Sequence, residues 1–202
     1  LRFNYRTGDA AGQNMTGKAT LAACTWIQEN YPERLEYMLS GNVDTDKKHS
    51  AMNLIQTRGK RVVAEFVLRR EVAKKVLRID TETLYRYRQI AAVGALQAGS
   101  AYSGAHSANG IAALFIATGQ DAANVAESHA GISYGQLLEN GDYYWSVTLP
   151  AIICATHGGG TGLPTQRECL ATVGRYRAGK ADQPADGVAA AVLAGPAWPT
   201  AA

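Results

Sequence analysis

Cysteine is scarce in this chain. Cys24, Cys154 and Cys169 are the three that occur in 202 residues, and no CxxC spacing joins any two of them. That pattern argues against a disulfide framework or a cysteine zinc site and suits small buried thiols in a reducing compartment. Long apolar runs are missing too. None approaches the roughly 20 residues that span a bilayer, and the N-terminus does not read as a signal peptide. A cytoplasmic location with no membrane partner is the expectation. Charge of one sign is also lacking. The formal net charge is +3, with no basic run interleaved with aromatics, so no nucleic-acid partner is expected. No HExxH or other metal pattern occurs, and no metal is expected. His49, His106, His129 and His157 are scattered, and spacing assigns no Ser-His-Asp triad. No internal repeat is present.

What is there is apolar enough to fold. Hydrophobic residues make up 47% of the chain, which allows a substantial core in one large domain or one and a half small ones. Leu1 to Arg6 alternates like a short strand. Asp9 is a natural N-cap for a helix running to about Tyr31, with Met15, Ala19, Ala22, Ala23, Trp26 and Ile27 on one face. Leu35 to Leu39 reads as a second strand, making a β-α-β unit that looks like half of a small α+β domain. Ser50 can cap a short helix through Ile55, and Arg61 to Leu68 alternates as a strand. Arg69 to Leu77 is amphipathic, with Val72, Val76 and Leu77 inward. Ala91 to Gly104 is small and glycine-rich, suited to close backbone packing. His106 to Thr118 reads as a buried helix ended by Gly119. Tyr143 to Ile153 reads as a strand and Thr165 to Val173 as a helix. From Ala178 the tail is rich in Ala, Gly and Pro.

Four short stretches could carry chemistry. In Asp46-Lys47-Lys48, two ammonium groups follow a carboxylate, just after the turn-tolerant pair Gly41-Asn42. One reading is a solvated turn. The other is a lysine kept protonated by an aspartate and able to stabilise an oxyanion. Gly8 to Met15 places small residues at a helix start, where free N–H groups can meet an anion such as a cofactor phosphate, although it is no GxGxxG fingerprint. His157-Gly158-Gly159-Gly160-Thr161 is either a close backbone approach to a ligand or a hinge. In Gly119-Gln120-Asp121, the aspartate is either a cap or a poised carboxylate.

The combination is more specific than its parts. In order and spacing, Arg2-Phe3 through Met15, Ser40-Gly41-Asn42 with Thr45 to Lys48, Arg58-Gly59-Lys60 with Val62-Val63, His106 with Ala108-Asn109, Gly119 to Ala123, and Gly158 to Thr161 resemble the catalytic domain of 3-hydroxy-3-methylglutaryl-CoA reductase, class I type. The resemblance runs from Leu1 to about Gly195. It implies an α+β fold, in which an incomplete ferredoxin-like nucleotide-binding part (residues 1–39) joins a larger mixed α/β domain for a CoA thioester (51–202) through a substrate loop (40–50). It implies NADPH as cofactor, held by Asp9, Ala10, Ala11, Gly12, Gln13, Asn14 and Met15 and by Gly158, Gly159, Gly160 and Thr161. Lys47 and Asp121 match the catalytic lysine and aspartate. Ser40, Asn42, Asp46, Lys48, His106 and Asn109 match substrate contacts. The implied reaction is a two-step hydride reduction of the thioester to a mevalonate-type alcohol, a step of isoprenoid biosynthesis. The family's sites form between subunits, so a homodimer or higher homo-oligomer is expected.

The chain departs from the pattern in places. The family's catalytic glutamate falls before Leu1 and its catalytic histidine after Ala202. A lysine expected to meet the substrate carboxylate falls on Ile90, with Arg86 or Arg88 as conceivable substitutes. The stretch from Gly99 to Ala105 is one residue short. Pro196 and Pro199 argue against a continuing helix in the tail. The chain starts with Leu, which suits a truncated or processed product. A divergent member that binds acyl-CoA or nucleotide without reducing it, or acts on another substrate, is the alternative expectation.

Overall fold

The computed structural model describes residues 1–100, 106–174, 179 and 182–195. Its centre is a three-stranded antiparallel sheet in the order β1-β3-β2, with β1 at Lys60–Leu68, β2 at Ile132–Leu137 and β3 at Tyr143–Ile152. β3 pairs with both neighbours: Leu68 and Leu137 both lie opposite Tyr143, at the same end of the sheet. Alternation along β3 explains its central place. Tyr143, Trp145, Val147 and Leu149 turn to one face and are buried, while the residues between them are half-exposed.

Two helices cover that face. α5 (Ser107–Thr118) contributes Ile111 and Phe115, both fully buried. α8 (Asp182–Ala194) contributes Ala185, Val188, Ala189, Val192 and Leu193, at the three- and four-residue spacing of one helical face. This helix falls in the Ala-rich tail, where the sequence suggested no element; Pro184 is tolerated because it stands in the first turn. Pro196 and Pro199 lie outside the described residues, as does 101–105. The other face of the sheet leaves Val63, Val67, Ile132 and Tyr134 exposed.

The remaining helices are α1 (Gln13–Asn30), α2 (Ala51–Ile55), α3 (Arg70–Val72), α4 (Thr81–Gln97), α6 (Val125–Ser128) and α7 (Pro164–Thr172). Ser50 caps α2 as expected, its hydroxyl accepting the Asn53 N–H at 3.2 Å. Several expectations need correction. α3 runs into a π-helical turn at Ala73–Leu77, which rotates the face: Ala73 is buried, whereas Val72 and Val76 are exposed. Ala91 to Gln97 belongs to α4, a helix, and its Val93 and Leu96 are exposed.

The first 39 residues also differ from expectation. Leu1 to Arg6 and Leu35 to Leu39 carry no regular secondary structure and make no strand ladder among the described residues, with a bend at Leu39. Alternation favours an extended chain, yet a strand also needs an edge to pair with, and neither segment meets one among the described residues. They lean on α1 instead through side chains: the Tyr5 and Thr20 hydroxyls lie 3.0 Å apart, and the Gln28 amide donates to the Leu35 carbonyl at 2.9 Å. α1 buries no residue: of the expected inward face, Met15, Ala19, Ala22 and Trp26 are exposed, and Ala23 and Ile27 are half-buried. The molecule is therefore α+β, with the helical N-terminal part set beside the sheet and its covering helices. No helix among the described residues is long and apolar enough to cross a membrane, and Cys24, Cys154 and Cys169 are all free thiols.

Candidate functional site

The Ser40 to Lys48 segment is a chain of tight turns. Asn42, Thr45 and Lys47 all adopt left-handed backbone, with φ of 64°, 59° and 56°. For a residue with a Cβ this costs about 1–2 kcal/mol each, so surrounding contacts must enforce it. Those contacts are present. Thr45 is buried, and its hydroxyl donates to the Asn53 side-chain carbonyl at 2.9 Å. The Lys48 N–H donates to the Thr45 carbonyl at 3.2 Å, and the Lys48 ammonium to the Asp46 carbonyl at 2.9 Å. The Ser40 hydroxyl donates to the Asp44 carboxylate at 3.1 Å. The Asp46 carboxylate accepts from the Arg58 guanidinium at 2.9 Å, and the Lys47 N–H donates to Glu127 Oε1 at 2.7 Å.

The side chain of Lys47 then reaches Asp121: Nζ lies 2.9 Å from Oδ2. Asp121 stands at the turn after α5, where its other oxygen caps the 3₁₀ turn Ala122–Asn124 by accepting the Ala123 N–H at 3.0 Å. It is thus both a cap and an ion-pair partner, which joins the two readings of this residue. The hydrogen bond that the Lys47 ammonium donates to Asp121, and then the carboxylate's charge, holds Lys47 above its ordinary pKa. The hydrogen bond from Lys47 holds the Asp121 carboxyl below its own. The pair is charged at neutral pH.

Asp121 lines a cleft of about 630 Å³ whose walls are Ala10 to Met15, Gly119 to Asp121 with Asn124, and His157 to Thr161. The segment after β3 assembles these walls. The Asp9 carbonyl accepts the N–H groups of Thr156 and His157 at 3.0 and 3.3 Å, tying the approach to α1 onto this segment. The Gln120 side chain pairs with Ala155 like a short strand: Ala155 N–H donates to Oε1 at 2.7 Å, and Nε2 donates to the Ala155 carbonyl at 2.9 Å. Gly119 packs against Gly160, and a Cβ on Gly119 would lie 2.3 Å from the Gly160 carbonyl oxygen. On the floor, Gln13 donates to Asn124 Oδ1 at 3.1 Å. The Asn124 Nδ2 is buried without a partner among the described residues.

The structure brings Lys47 to Asp121, and Asp121 to one cleft with Ala10 to Met15 and Gly158 to Thr161. Some predicted residues stand differently. Asp9 does not cap α1; Gly12 is the N-cap, and the Asp9 carboxylate accepts the Gly179 N–H at 2.7 Å. The Thr161 hydroxyl is spent on the Gly158 carbonyl at 2.6 Å. His106 is the N-cap residue of α5 with its ring against Gly195, Asn109 is exposed on the same helix, and neither lines the cleft. Ile90 is exposed on α4. Arg88 is engaged elsewhere, donating to the Ser133 hydroxyl at 2.6 Å and stacking 4.8 Å from the Trp145 ring centre. Arg58, Glu127, Gln120 and Asn124 were assigned no role from sequence. Arg58 and Gln120 lay inside recognised motifs, which was the available signal. Glu127 and Asn124 gave none, because their burial depends on how α6 and its preceding turn pack.

The profile of the family described as hydroxymethylglutaryl-coenzyme A reductase matches residues 1–196. The chain belongs to this family. It is 46% identical over 202 residues to a 3-hydroxy-3-methylglutaryl-coenzyme A reductase of Aeropyrum pernix, covering 96% of this chain and 48% of the relative. To the protein of the same name from Pyrococcus abyssi it is 42% identical over 203 residues, with 96% and 49% covered. To that from Zea mays it is 40% identical over 209 residues, with 96% and 35% covered. The chain spans about half the length of the archaeal reductase relatives it matches.

Proposed function

We propose that this chain forms the cofactor cleft and the catalytic-cation turn of an NADPH-dependent reductase of a 3-hydroxy-3-methylglutaryl-type CoA thioester. The observation that carries this reading is the Lys47–Asp121 pair, 2.9 Å apart, with Asp121 in the wall of the cleft. The cleft suits a phosphate-bearing nucleotide. Gly12 offers no side-chain cap to α1, whose first-turn N–H groups border the cleft, and Asn124 Nδ2 is a buried donor with no acceptor among the described residues. Asp9 to Met15 and Gly158 to Thr161 hold the nucleotide in this reading. A bound reduced nicotinamide supplies the hydride.

The chain's own residues handle the charge. Each reduction of a carbonyl creates an oxyanion, and the Lys47 ammonium stabilises it. Asp121 keeps that ammonium protonated and aimed. Lys47 can pass a proton to the oxygen and take one back from solvent before the second reduction, with Asp121 restoring the ammonium form. Ser40, Asn42, Asp46 and Lys48 meet the acyl portion from the turn in this reading, and His106 and Asn109, which stand outside the cleft on α5, belong to the same substrate set by the family resemblance alone. Residues 1–39 serve as part of a ferredoxin-like nucleotide unit, 40–50 as the connecting loop and 51–202 as the thioester domain. The assembly is a homodimer or higher homo-oligomer working in the cytoplasm. NADPH absorbance followed with 3-hydroxy-3-methylglutaryl-CoA and the full-length gene product tests the activity: steady oxidation is expected, and its absence overturns the proposal.

One observation favours a second reading, a member that binds nucleotide or acyl-CoA without reduction. Ile90 stands where a lysine is expected, and Arg88 is committed to Ser133 and Trp145. Calorimetric titration with NADPH and CoA separately distinguishes the two: binding without turnover supports this reading, and turnover removes it.

A further inference from the structure

The turn that presents Lys47 is held from beneath by a carboxylate far along the chain. Glu127 lies on α6 with its side chain wholly out of solvent. One oxygen, Oε1, receives two donors: the Lys47 N–H at 2.7 Å and the Arg58 guanidinium. Arg58 in turn grips Asp46, the residue before Lys47, at 2.9 Å. Lys47 is therefore fastened at both ends, its backbone to Glu127 and its ammonium to Asp121. Taking a carboxylate out of water is costly unless partners offset it, and here the Lys47 N–H and the Arg58 guanidinium are those partners.

We infer that Glu127 is a positioning residue, which through the Lys47 N–H and Arg58 locks the left-handed turn and so sets where the Lys47 ammonium stands. Lys47 has φ of 56°, a conformation that relaxes toward ordinary backbone once the bond from its N–H to Glu127 goes. Asp121 alone cannot hold the turn, since it meets only the flexible end of the lysine. Glu127 touches neither the cleft nor any reacting atom and acts only through the residues it grips. The inference deepens the reductase reading and rests on it for one of the two measurements below.

The test uses the full-length protein with Glu127→Ala and Glu127→Gln. The glutamine keeps an oxygen for the Lys47 N–H but loses the charge that grips Arg58. The first measurement is kcat and KM for NADPH oxidation with the acyl-CoA. A misplaced group typically costs about 10–100-fold, so kcat is expected to fall by that factor in Glu127→Ala, less in Glu127→Gln, with KM for both substrates within about threefold. A generally damaged fold would not separate kcat from KM in this way. The second measurement needs no activity: acetic anhydride labelling of Lys47 relative to Lys48, read by mass spectrometry. Lys47 is expected to label faster in both variants as its pairing with Asp121 loosens. If Glu127→Ala does not fold, Glu127→Gln decides. If the wild type shows no turnover, the reductase reading fails while labelling still decides this one. Folded variants in which kcat and Lys47 labelling match the wild type overturn the inference, as does unchanged labelling where there is no turnover to measure.

Discussion

Gly119 and Gly160 meet backbone to backbone across the cleft: a Cβ on Gly119 would stand 2.3 Å from the Gly160 carbonyl oxygen, and one on Gly160 would stand 2.8 Å from the Gly119 carbonyl oxygen. The contact joins the turn carrying Asp121 to the glycine loop, so it fixes the width of the cleft at this end. Gly119 also has φ of 70°, a left-handed conformation that alanine resists. Gly119→Ala therefore meets both a clash and strain. A loss of at least about 1–3 kcal/mol is expected in urea unfolding. Wild-type stability in this variant would show that the two walls do not touch.

Gln120 stitches the same turn to the end of β3. Gln120→Ala strands the N–H and carbonyl of the buried Ala155, which the side chain satisfies at 2.7 and 2.9 Å. The expected loss is about 1–3 kcal/mol. Amide exchange at Ala155 should speed up well beyond that of β3. Equal protection at Ala155 in the variant and the wild type would refute this role.

The Lys47–Asp121 pair has a defined pH window. The lysine's folded pKa is raised above 10.5, so its contribution is complete below 10.5 and is lost as pH rises through the higher folded value. The aspartate's is lowered below 3.8, so its contribution is complete above 3.8 and is lost as pH falls through the lower folded value. Between those limits the pair adds no pH dependence. Titration of the Lys47 Nζ by nitrogen NMR should show a midpoint above 10.5, moving down in Asp121→Asn. A wild-type midpoint at or below the ordinary value contradicts the pairing.

Glu127 behaves in the opposite sense to an ordinary paired carboxylate. Burial pushes its pKa above 4.5, so the native state holds this proton more tightly than the unfolded chain does. Stability from this group is greatest below 4.5 and declines as pH rises through the folded value. The difference in unfolding free energy between wild type and Glu127→Gln should fall over that interval, measured by urea denaturation at several pH values. A difference that grows with pH would mean that Arg58 and the Lys47 N–H outweigh burial.

Much of the site was legible because its parts are short motifs with strong local chemistry. Asp46-Lys47-Lys48, Gly119-Gln120-Asp121 and the Gly158 loop each announce a turn, and the fold brings the lysine, the aspartate and the loop to one cleft. β3 and α5 were legible from clear apolar periods. Elements whose identity depends on distant partners were not. Leu1 to Arg6 and Leu35 to Leu39 alternate well but meet no edge to pair with among the described residues. β2 carries Gly135 beneath the Tyr143 hydroxyl, and this glycine weakens its strand pattern. α8 buries alanines and valines, too small to stand out in an Ala-rich stretch. Glu127 is a lone carboxylate in sequence and gains meaning only when α6 lies beneath the lysine turn.

The central claim is that the ammonium of Lys47, held by Asp121 beside the cleft, stabilises the charge created by hydride addition. The most direct measurement compares NADPH oxidation by full-length wild type and Lys47→Ala with saturating 3-hydroxy-3-methylglutaryl-CoA, with NADPH affinity measured in parallel. Removing one preorganised stabilising group of this kind costs about 100–1,000-fold in kcat. A loss of that size with NADPH binding retained is the predicted result. Lys47→Ala turning over at the wild-type rate would contradict the account.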